Sequence, residues 1–259
     1  MKTSNKAPRF FIEQKISNKS LQENNLIISD EKIIHQIKNV LRKKEGSQIV
    51  FLDGQGAEFF GTILDISNKE ITLEKNKIEF YEAEKNEDKR QKIILAPAIL
   101  KKDNFEFVLQ KCTEIGIEKI QPIISERTKK NNLNYERSKK IIKEASEQSE
   151  KIYLPEIFQT KNLEEFLLEI SQSNEKSNFT PDSGVNIFAL EFNSEEFEIS
   201  KLKGKTGEMI FLVGPEGGWG EEDLKLFEKY NVQKISLGSQ ILRAETASIS
   251  LSTLMLLGK

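Results

Sequence analysis

"FLVGPEGGWGEEDL", Phe211 to Leu224, reads as a buried strand that runs into a glycine-rich loop and then into an acidic helix start. Glycine lets a backbone approach a ligand closely or take positive φ, so Gly214, Gly217 and Gly218 suit a site lined by main chain. Taken singly, each is equally at home in an ordinary tight turn. A second loop of the same kind, "LGSQILRAETA" at 237 to 247, leaves the next strand, and Gly238 opens it. Two such loops on consecutive strands point to a pocket.

The surrounding pattern places these strands in a sheet. Strand-like "KIILAPAIL", helical "DNFEFVLQKCTEIG", strand-like "KIQPIIS" and helical "YERSKKIIKEASEQSE" and "NLEEFLLEIS" lead to strands at "NIFALEF", "EMIFLVG" and "KISLG". Each of the last two is followed by a helix. This α/β alternation predicts a mostly parallel sheet with helices on both faces, and ligands in such sheets bind beyond the carboxyl ends of the strands. The polar stretch "SQSNEKSNFTPDSG" at 171 to 184 reads as a surface loop.

Before residue 85 the period is different. "GSQIVFLDGQGAEFFGTILDIS" is two β-rich runs joined by Asp-Gly-Gln-Gly, a hairpin signal, and "KEITLEKNKIEF" supplies a third run. A small β-barrel or sheet is expected there. One helix precedes it, "SDEKIIHQIKNVLRKKEG", with Ser29 and Asp30 as cap candidates, an apolar face of Ile33, Ile37, Val40 and Leu41, and Gly46 past its end. "YEAEKNEDKRQK" at 81 to 92 is charged and poor in apolar residues, and reads as a linker.

Composition narrows the function classes. With 259 residues and 37% hydrophobic content the chain can bury a substantial core in one or two domains. One cysteine, Cys112, excludes an internal disulfide, and with one histidine, His35, no Cys/His zinc cluster can form. No metal is expected. No signal peptide or membrane span is visible, and a cytoplasmic setting is the simplest expectation. The net charge of −2 conceals an asymmetry, because residues 1 to 50 carry 10 Lys/Arg against 5 Asp/Glu while residues 161 to 200 carry 2 against 9.

The acidic helix start decides the ligand class. A dinucleotide loop requires G-x-G-x-x-G with a pyrophosphate on the helix N-terminus, whereas this one reads G-x-x-G-G-x-G with Pro215 inside it. Glu221, Glu222 and Asp223 satisfy the helix dipole themselves and repel phosphate. No Gly-Lys-Ser/Thr follows, so a Walker loop is excluded as well. A nucleoside-like ligand without phosphate is expected, and S-adenosylmethionine, with its adenosine and its sulfonium cation, answers that description.

"GPEGGWGEEDL" followed by "LGSQILRAETA" closely resembles the paired signature of the RsmE family, bacterial methyltransferases that modify N3 of a uridine in 16S ribosomal RNA. The resemblance extends to "APRFF", "HQIKNVLR" at 35 to 42, "LQKCTEIGI" at 109 to 117, "PIISERT" and "EASEQSEKIYLPEI" at 144 to 157. It implies a PUA-like β-barrel for RNA over residues 1–80, a linker over 81–92, and a SPOUT methyltransferase domain with a C-terminal trefoil knot over 93–259. It also implies a homodimer acting on 16S rRNA in the small ribosomal subunit, with S-adenosylmethionine held by the knot loops. Carried onto this chain, the cofactor residues are Leu212, Gly214, Glu216, Gly217 and Gly218 in the first motif. In the second they are Leu237, Gly238, Ile241, Leu242 and Ala244. Where many relatives have an arginine after Glu-Gln-Ser/Cys-Gly, this chain has Lys151, which cannot grip phosphate as a planar fork.

Chemistry singles out two further residues. Uracil N3 is a weak nucleophile while protonated, so catalysis needs a base or a means of stabilising charge on O2 and O4. Arg243 is placed to hydrogen-bond a carbonyl oxygen. Glu245 either orients Arg243 or takes the proton, or else serves as a helix-start carboxylate. For RNA, His35, Lys38 and Arg42 fall at i, i+3 and i+7 of the early helix with Lys43 beyond, and Arg9 beside Phe10 and Phe11 offers a cation and stacking groups. Trp219 either covers the cofactor or packs under its loop. A ribosome-assembly factor without activity and a nicotinamide-dependent oxidoreductase are the competing classes. The acidic helix start disfavours the second.

Overall fold

A computed structural model describes residues 7–16, 23–81, 92–129, 132–176, 184–194 and 207–257. The chain forms two compact units: Met1–Glu84 with Ser146–Leu154, and Lys85–Ala145 with Pro155–Lys259. Positions 82–91 of the expected linker and positions 177–183 lie outside the described residues.

In the first unit β1 (Arg9–Phe11), β2 (Asn25–Ile28), α1 (Glu31–His35), β3 (Gln48–Leu52), β4 (Ala57–Ile66) and β5 (Ile71–Phe80) build a five-stranded sheet of order β1-β3-β4-β5-β2. The β3–β4 hairpin turns at Asp53-Gly54-Gln55-Gly56, where the Asp53 carboxylate accepts from the amides of Gln55 (2.8 Å) and Ala57 (3.0 Å) and both glycines have positive φ. Asp30 caps α1, accepting from the Lys32 and Ile33 amides. The helix then widens into a π-helical turn over Gln36–Val40, and Arg42 beyond it has a left-handed backbone (φ 51°). His35, Lys38 and Arg42 therefore do not share the continuous α-helical face that the sequence spacing predicts.

Ser146–Leu154 joins this unit through three bonds. Glu147 Oε1 accepts from the Phe11 amide (3.0 Å), the Tyr153 hydroxyl donates to the Tyr81 carbonyl (2.6 Å), and the Leu154 amide donates to the Gly54 carbonyl (3.4 Å). Part of the motif that resembles the family thus has a structural task, satisfying a backbone amide of the edge strand β1.

The second unit contains β6 (Lys92–Pro97), α2 (Lys102–Ile115), β7 (Lys119–Ile120), β8 (Ile123–Ile124), α3 (Tyr135–Gln148), β9 (Glu156–Ile157), β10 (Lys161–Asn162) and α4 (Leu163–Lys176). It continues with β11 (Asn186–Leu190), β12 (Glu208–Val213), α5 (Glu221–Lys229), β13 (Gln233–Ile235) and α6 (Ala244–Leu257). Six strands pair in the order β13-β11-β12-β6-β7-β9, every neighbouring pair parallel. The strand alternation sends Leu95, Phe188, Met209, Phe211 and Val213 to a core shared with α2, α3 and α6. Ile94, Ala96, Ile187, Ala189, Ile210 and Leu212 face a second core under α4 and α5. Helix α4 runs on to Lys176, six residues into the stretch read from sequence as a loop. Polar residues without glycine or proline do not end a helix whose apolar face is already docked.

Cys112 lies inside the first of these cores, with Ser252 Oγ of α6 at 3.4 Å from its sulfur. Burial pushes its thiol up from 9.0 to about 12. In the unfolded chain the thiol ionises near 9, so this group leaves stability intact below that pH and lowers it progressively as pH rises from about 9 towards about 12. At pH 8 the native protein is expected to resist iodoacetamide, with full labelling only in guanidinium, as read by mass spectrometry.

Candidate active site

A cavity of about 500 Å³ opens at the carboxyl ends of β11, β12 and β13, within the usual size of a small-molecule site. Three consecutive strand positions in space supply its walls. Leu190, Glu191 and Phe192 follow β11; Val213, Gly214, Pro215, Glu216, Gly218 and Trp219 follow β12; Ile235, Ser236, Leu237 and Gln240 through Glu245 follow β13. Lys101 and Asn104, at the start of α2, complete the lining together with Ala247. The β6–α2 connection thus contributes from a fourth strand end.

Of the residues chosen from sequence, Gly214, Glu216, Gly218, Leu237, Ile241, Leu242, Ala244, Arg243 and Glu245 line this cavity. Leu212, Gly217 and Gly238 do not. Leu212 is fully buried in the core on the α4–α5 face, one residue short of the loop. The Gly217 carbonyl accepts from Arg127 Nη1 at 3.0 Å, so its polar edge is engaged away from the cavity. Gly238 has φ 118° and its loop is closed by Ser236 Oγ, which donates to the Gly238 carbonyl at 3.0 Å.

Trp219 packs under its loop. Its indole N–H donates to the Leu190 carbonyl (2.7 Å), and the ring stands edge-on to Phe227 with centroids 4.9 Å apart. This bond ties the end of β11 to the β12 loop, so that two walls of the cavity move together. Gly214 lies close beside it, and an added Cβ, 3.1 Å from the indole, would press the ring outward by a few tenths of an ångström. The strand end at Leu190–Phe192 was missed by the sequence reading. Its signal was the same as for the other two, an apolar run followed by a polar turn, but it has no glycine to mark it.

Three carboxylates, Glu191, Glu216 and Glu245, and two cations, Lys101 and Arg243, line the cavity. Glu216 Oε1 accepts from the Lys101 amide at 3.1 Å, which satisfies a donor at the start of α2. Oε2 of Glu245 is buried and has no hydrogen-bond partner among the described residues. A carboxylate oxygen removed from water in this way calls for a donor or a cation. At α5 the helix start is filled by protein: Gly220 N donates to Asp223 Oδ2 (2.9 Å) and Glu222 N to Glu126 Oε2 (2.8 Å). The site therefore favours a ligand bearing hydroxyls, amines or positive charge over one bearing phosphate.

The basic residues chosen for RNA lie in the first unit. His35 and Arg42 are exposed, Lys38 and Lys43 are half-exposed, and Lys38 Nζ donates to Asn68 Oδ1 (2.7 Å). Lys151 is half-exposed and its amide donates to the Ser146 carbonyl. Arg9 is largely buried and ion-paired with Glu58. Phe10 and Phe11 are each 2% exposed and point to opposite sides of β1 into separate clusters, so they offer no stacking face. The expectation of an exposed cation flanked by aromatic platforms fails because an adjacent pair on a strand covered on both faces is core.

A family model described as an RNA methyltransferase domain matches residues 87–256, and one described as an RNA methyltransferase PUA domain matches residues 28–76. Together they define an RNA methyltransferase that contains a PUA-like domain and a parallel-sheet methyltransferase domain. Ribosomal RNA small subunit methyltransferase E of Rickettsia conorii is 32% identical over 237 residues, covering 90% of each chain. The protein of that name in Mesomycoplasma hyopneumoniae is 30% identical over 250 residues, covering 95% of this chain and 97% of its own. In fold, the crystal structure of the Neisseria gonorrhoeae protein of that name, bound to S-adenosyl methionine, superposes with a TM-score of 0.76 at 24% identity, covering 96% of this chain and 97% of its own. The chain belongs to the ribosomal RNA small subunit methyltransferase E family.

Proposed function

We propose that this protein transfers a methyl group from S-adenosylmethionine to N3 of a uridine in 16S ribosomal RNA, with the assembled small subunit as substrate. The observation that carries the reading is the cavity at three parallel strand ends, with an unpartnered Glu245 oxygen and Arg243, two residues apart in sequence, on its wall. Its residues fit the cofactor. Three carboxylates suit a cation, the plugged start of α5 suits a nucleoside without phosphate, and Gly218, with positive φ and open space where a Cβ would stand, lets backbone approach a ligand. S-adenosylmethionine, when bound, supplies a methyl group made electrophilic by its sulfonium.

The chain's own residues then divide the work. Gly214, Glu216, Gly218, Leu237, Ile241, Leu242 and Ala244 form the binding wall, with Leu212, Gly217 and Gly238 shaping it from behind. Arg243, exposed at the cavity mouth, stabilises the negative charge that develops on a uracil carbonyl oxygen as N3 attacks. Glu245 orients Arg243 or accepts the N3 proton at its unpartnered oxygen. Alignment of the reacting atoms by the wall supplies much of the remaining rate.

RNA is held by His35, Lys38, Arg42 and Lys43, with Lys151 as a point charge in place of an arginine fork; Arg9 contributes indirectly by anchoring β4 through Glu58. Residues 1–80 form the RNA-binding domain, its sheet closing into a PUA-like barrel, 81–92 the linker and 93–259 the methyltransferase domain. A trefoil knot at α6, which packs against α2, β6 and β12, is part of this reading. A homodimer is supported by the apolar side chains that α6 leaves exposed, Leu254 and Leu257. A cytoplasmic setting is part of the reading, and no helix among the described residues is long and apolar enough to cross a membrane.

Calorimetric titration tests the cofactor directly. Saturable binding of S-adenosylmethionine and none of a nicotinamide dinucleotide is expected, and the reverse result overturns the reading. For RNA, Lys38→Ala and Arg42→Ala are each expected to lower affinity and to reduce the slope of log K against log salt by about 1, with cofactor affinity unchanged. An unaltered salt slope in both variants would remove this surface from the account.

A further inference from the structure

The segment Ser125-Glu126-Arg127-Thr128 contributes no residue to the cavity wall, yet it is bonded to the loop that does. It folds as a turn after β8: the Thr128 amide donates to the Ser125 carbonyl (3.1 Å), and Thr128 Oγ1 accepts from the Ser125 amide (2.9 Å). From this turn three bonds cross to the β12–α5 loop. The Glu126 amide donates to the Asp223 carboxylate (3.1 Å), the Glu222 amide donates to Glu126 Oε2 (2.8 Å), and Arg127 Nη1 donates to the Gly217 carbonyl (3.0 Å).

The exchange is reciprocal. Asp223, 2% exposed, satisfies a backbone amide of the turn, while Glu126 satisfies a backbone amide of the helix start. Gly220 lies between them, and a Cβ there would stand 2.0 Å from Glu126 Oε2, so a side chain at this position would displace the Glu126 carboxylate. Arg127 fixes the other end of the same loop, one residue before Gly218 on the cavity wall.

We infer that Glu126 and Arg127 are positioning residues: they clamp Gly217–Gly220 in the shape that lines the cavity, and Glu126 occupies the amide at the start of α5 that would otherwise meet a phosphate. The role rests on the reading of this cavity as the S-adenosylmethionine site. Under the same reading, phosphorylated nucleotides are disfavoured because the Glu126 carboxylate already occupies the amide where their phosphate would dock.

The test uses the ligand-free full chain first. In hydrogen exchange, Glu126→Ala and Arg127→Ala are each expected to speed exchange of the amides of residues 216–222 by about tenfold, the effect of losing one charge-assisted bond. Both side chains are exposed, so the thermal midpoint should move by only a few degrees. Titration with S-adenosylmethionine should then show affinity weakened by about tenfold, with partial recovery in Glu126→Gln, which keeps an acceptor oxygen. Unchanged exchange in both alanine variants, or faster exchange with undiminished affinity, overturns the inference. If the unaltered protein binds no S-adenosylmethionine, the cofactor assignment fails, and the exchange measurement alone upholds or overturns the clamp.

Discussion

Arg243→Ala is expected to lower the turnover of methyl transfer by about 10²–10³-fold while changing the affinity for S-adenosylmethionine by no more than about threefold. The split follows from position. The Arg243 carbonyl accepts from the Ala247 amide at 2.8 Å and so belongs to the start of α6, but the side chain is exposed at the cavity mouth. Its removal leaves the wall that holds the nucleoside intact and takes away a charge matched to an oxygen that becomes negative only as N3 attacks. Arg243→Lys keeps the charge and loses the planar fork, so an intermediate rate is expected. Single-turnover kinetics with saturating cofactor separates these effects from product release. Equal losses in cofactor affinity and in rate would place Arg243 in the binding wall instead.

Asp223→Ala is expected to be the most destabilising of the polar substitutions at the site. Its carboxylate is buried and accepts from two backbone amides, Gly220 at 2.9 Å and Glu126 at 3.1 Å. Deletion strands both donors beneath the loop, at a cost of about 2–4 kcal/mol. In a protein of this size that lowers the thermal midpoint by roughly 5–12 °C. Asp223→Asn preserves one acceptor oxygen and should lose about half as much. Thermal unfolding followed by circular dichroism reads the difference, and a midpoint for Asp223→Ala within about 2 °C of wild type would contradict the structural role.

The parallel sheet was legible because its strands are short apolar runs separated by helical periods, and burial on both faces leaves little else that such runs can do. The cavity was legible for the same reason, through two glycine loops at strand ends. Local patterns carried no trace of partners far along the chain. Glu147 reaches Phe11 across 136 residues, and nothing in "EASEQSE" signals it. Arg9 looked like an exposed cation until Glu58, on a strand that sequence could not set beside it, took up its charge. The widening of the helix at Gln36–Val40 was equally hidden: Arg42 adopts a left-handed backbone without the glycine that would have announced it. The bond of Glu126 to the Glu222 amide was half legible, in that the acids at the start of α5 predicted a satisfied helix terminus, whereas the carboxylate from another loop did not show.

Methyl transfer from labelled S-adenosylmethionine to small ribosomal subunits lacking their native uridine N3 methyl, with protein-free 16S RNA alongside and nucleoside analysis of both, tests the central claim most directly. The account predicts label in 3-methyluridine, with the assembled subunit preferred. Absence of label from both substrates while control methyltransferases work, or label in a different nucleoside, would contradict it.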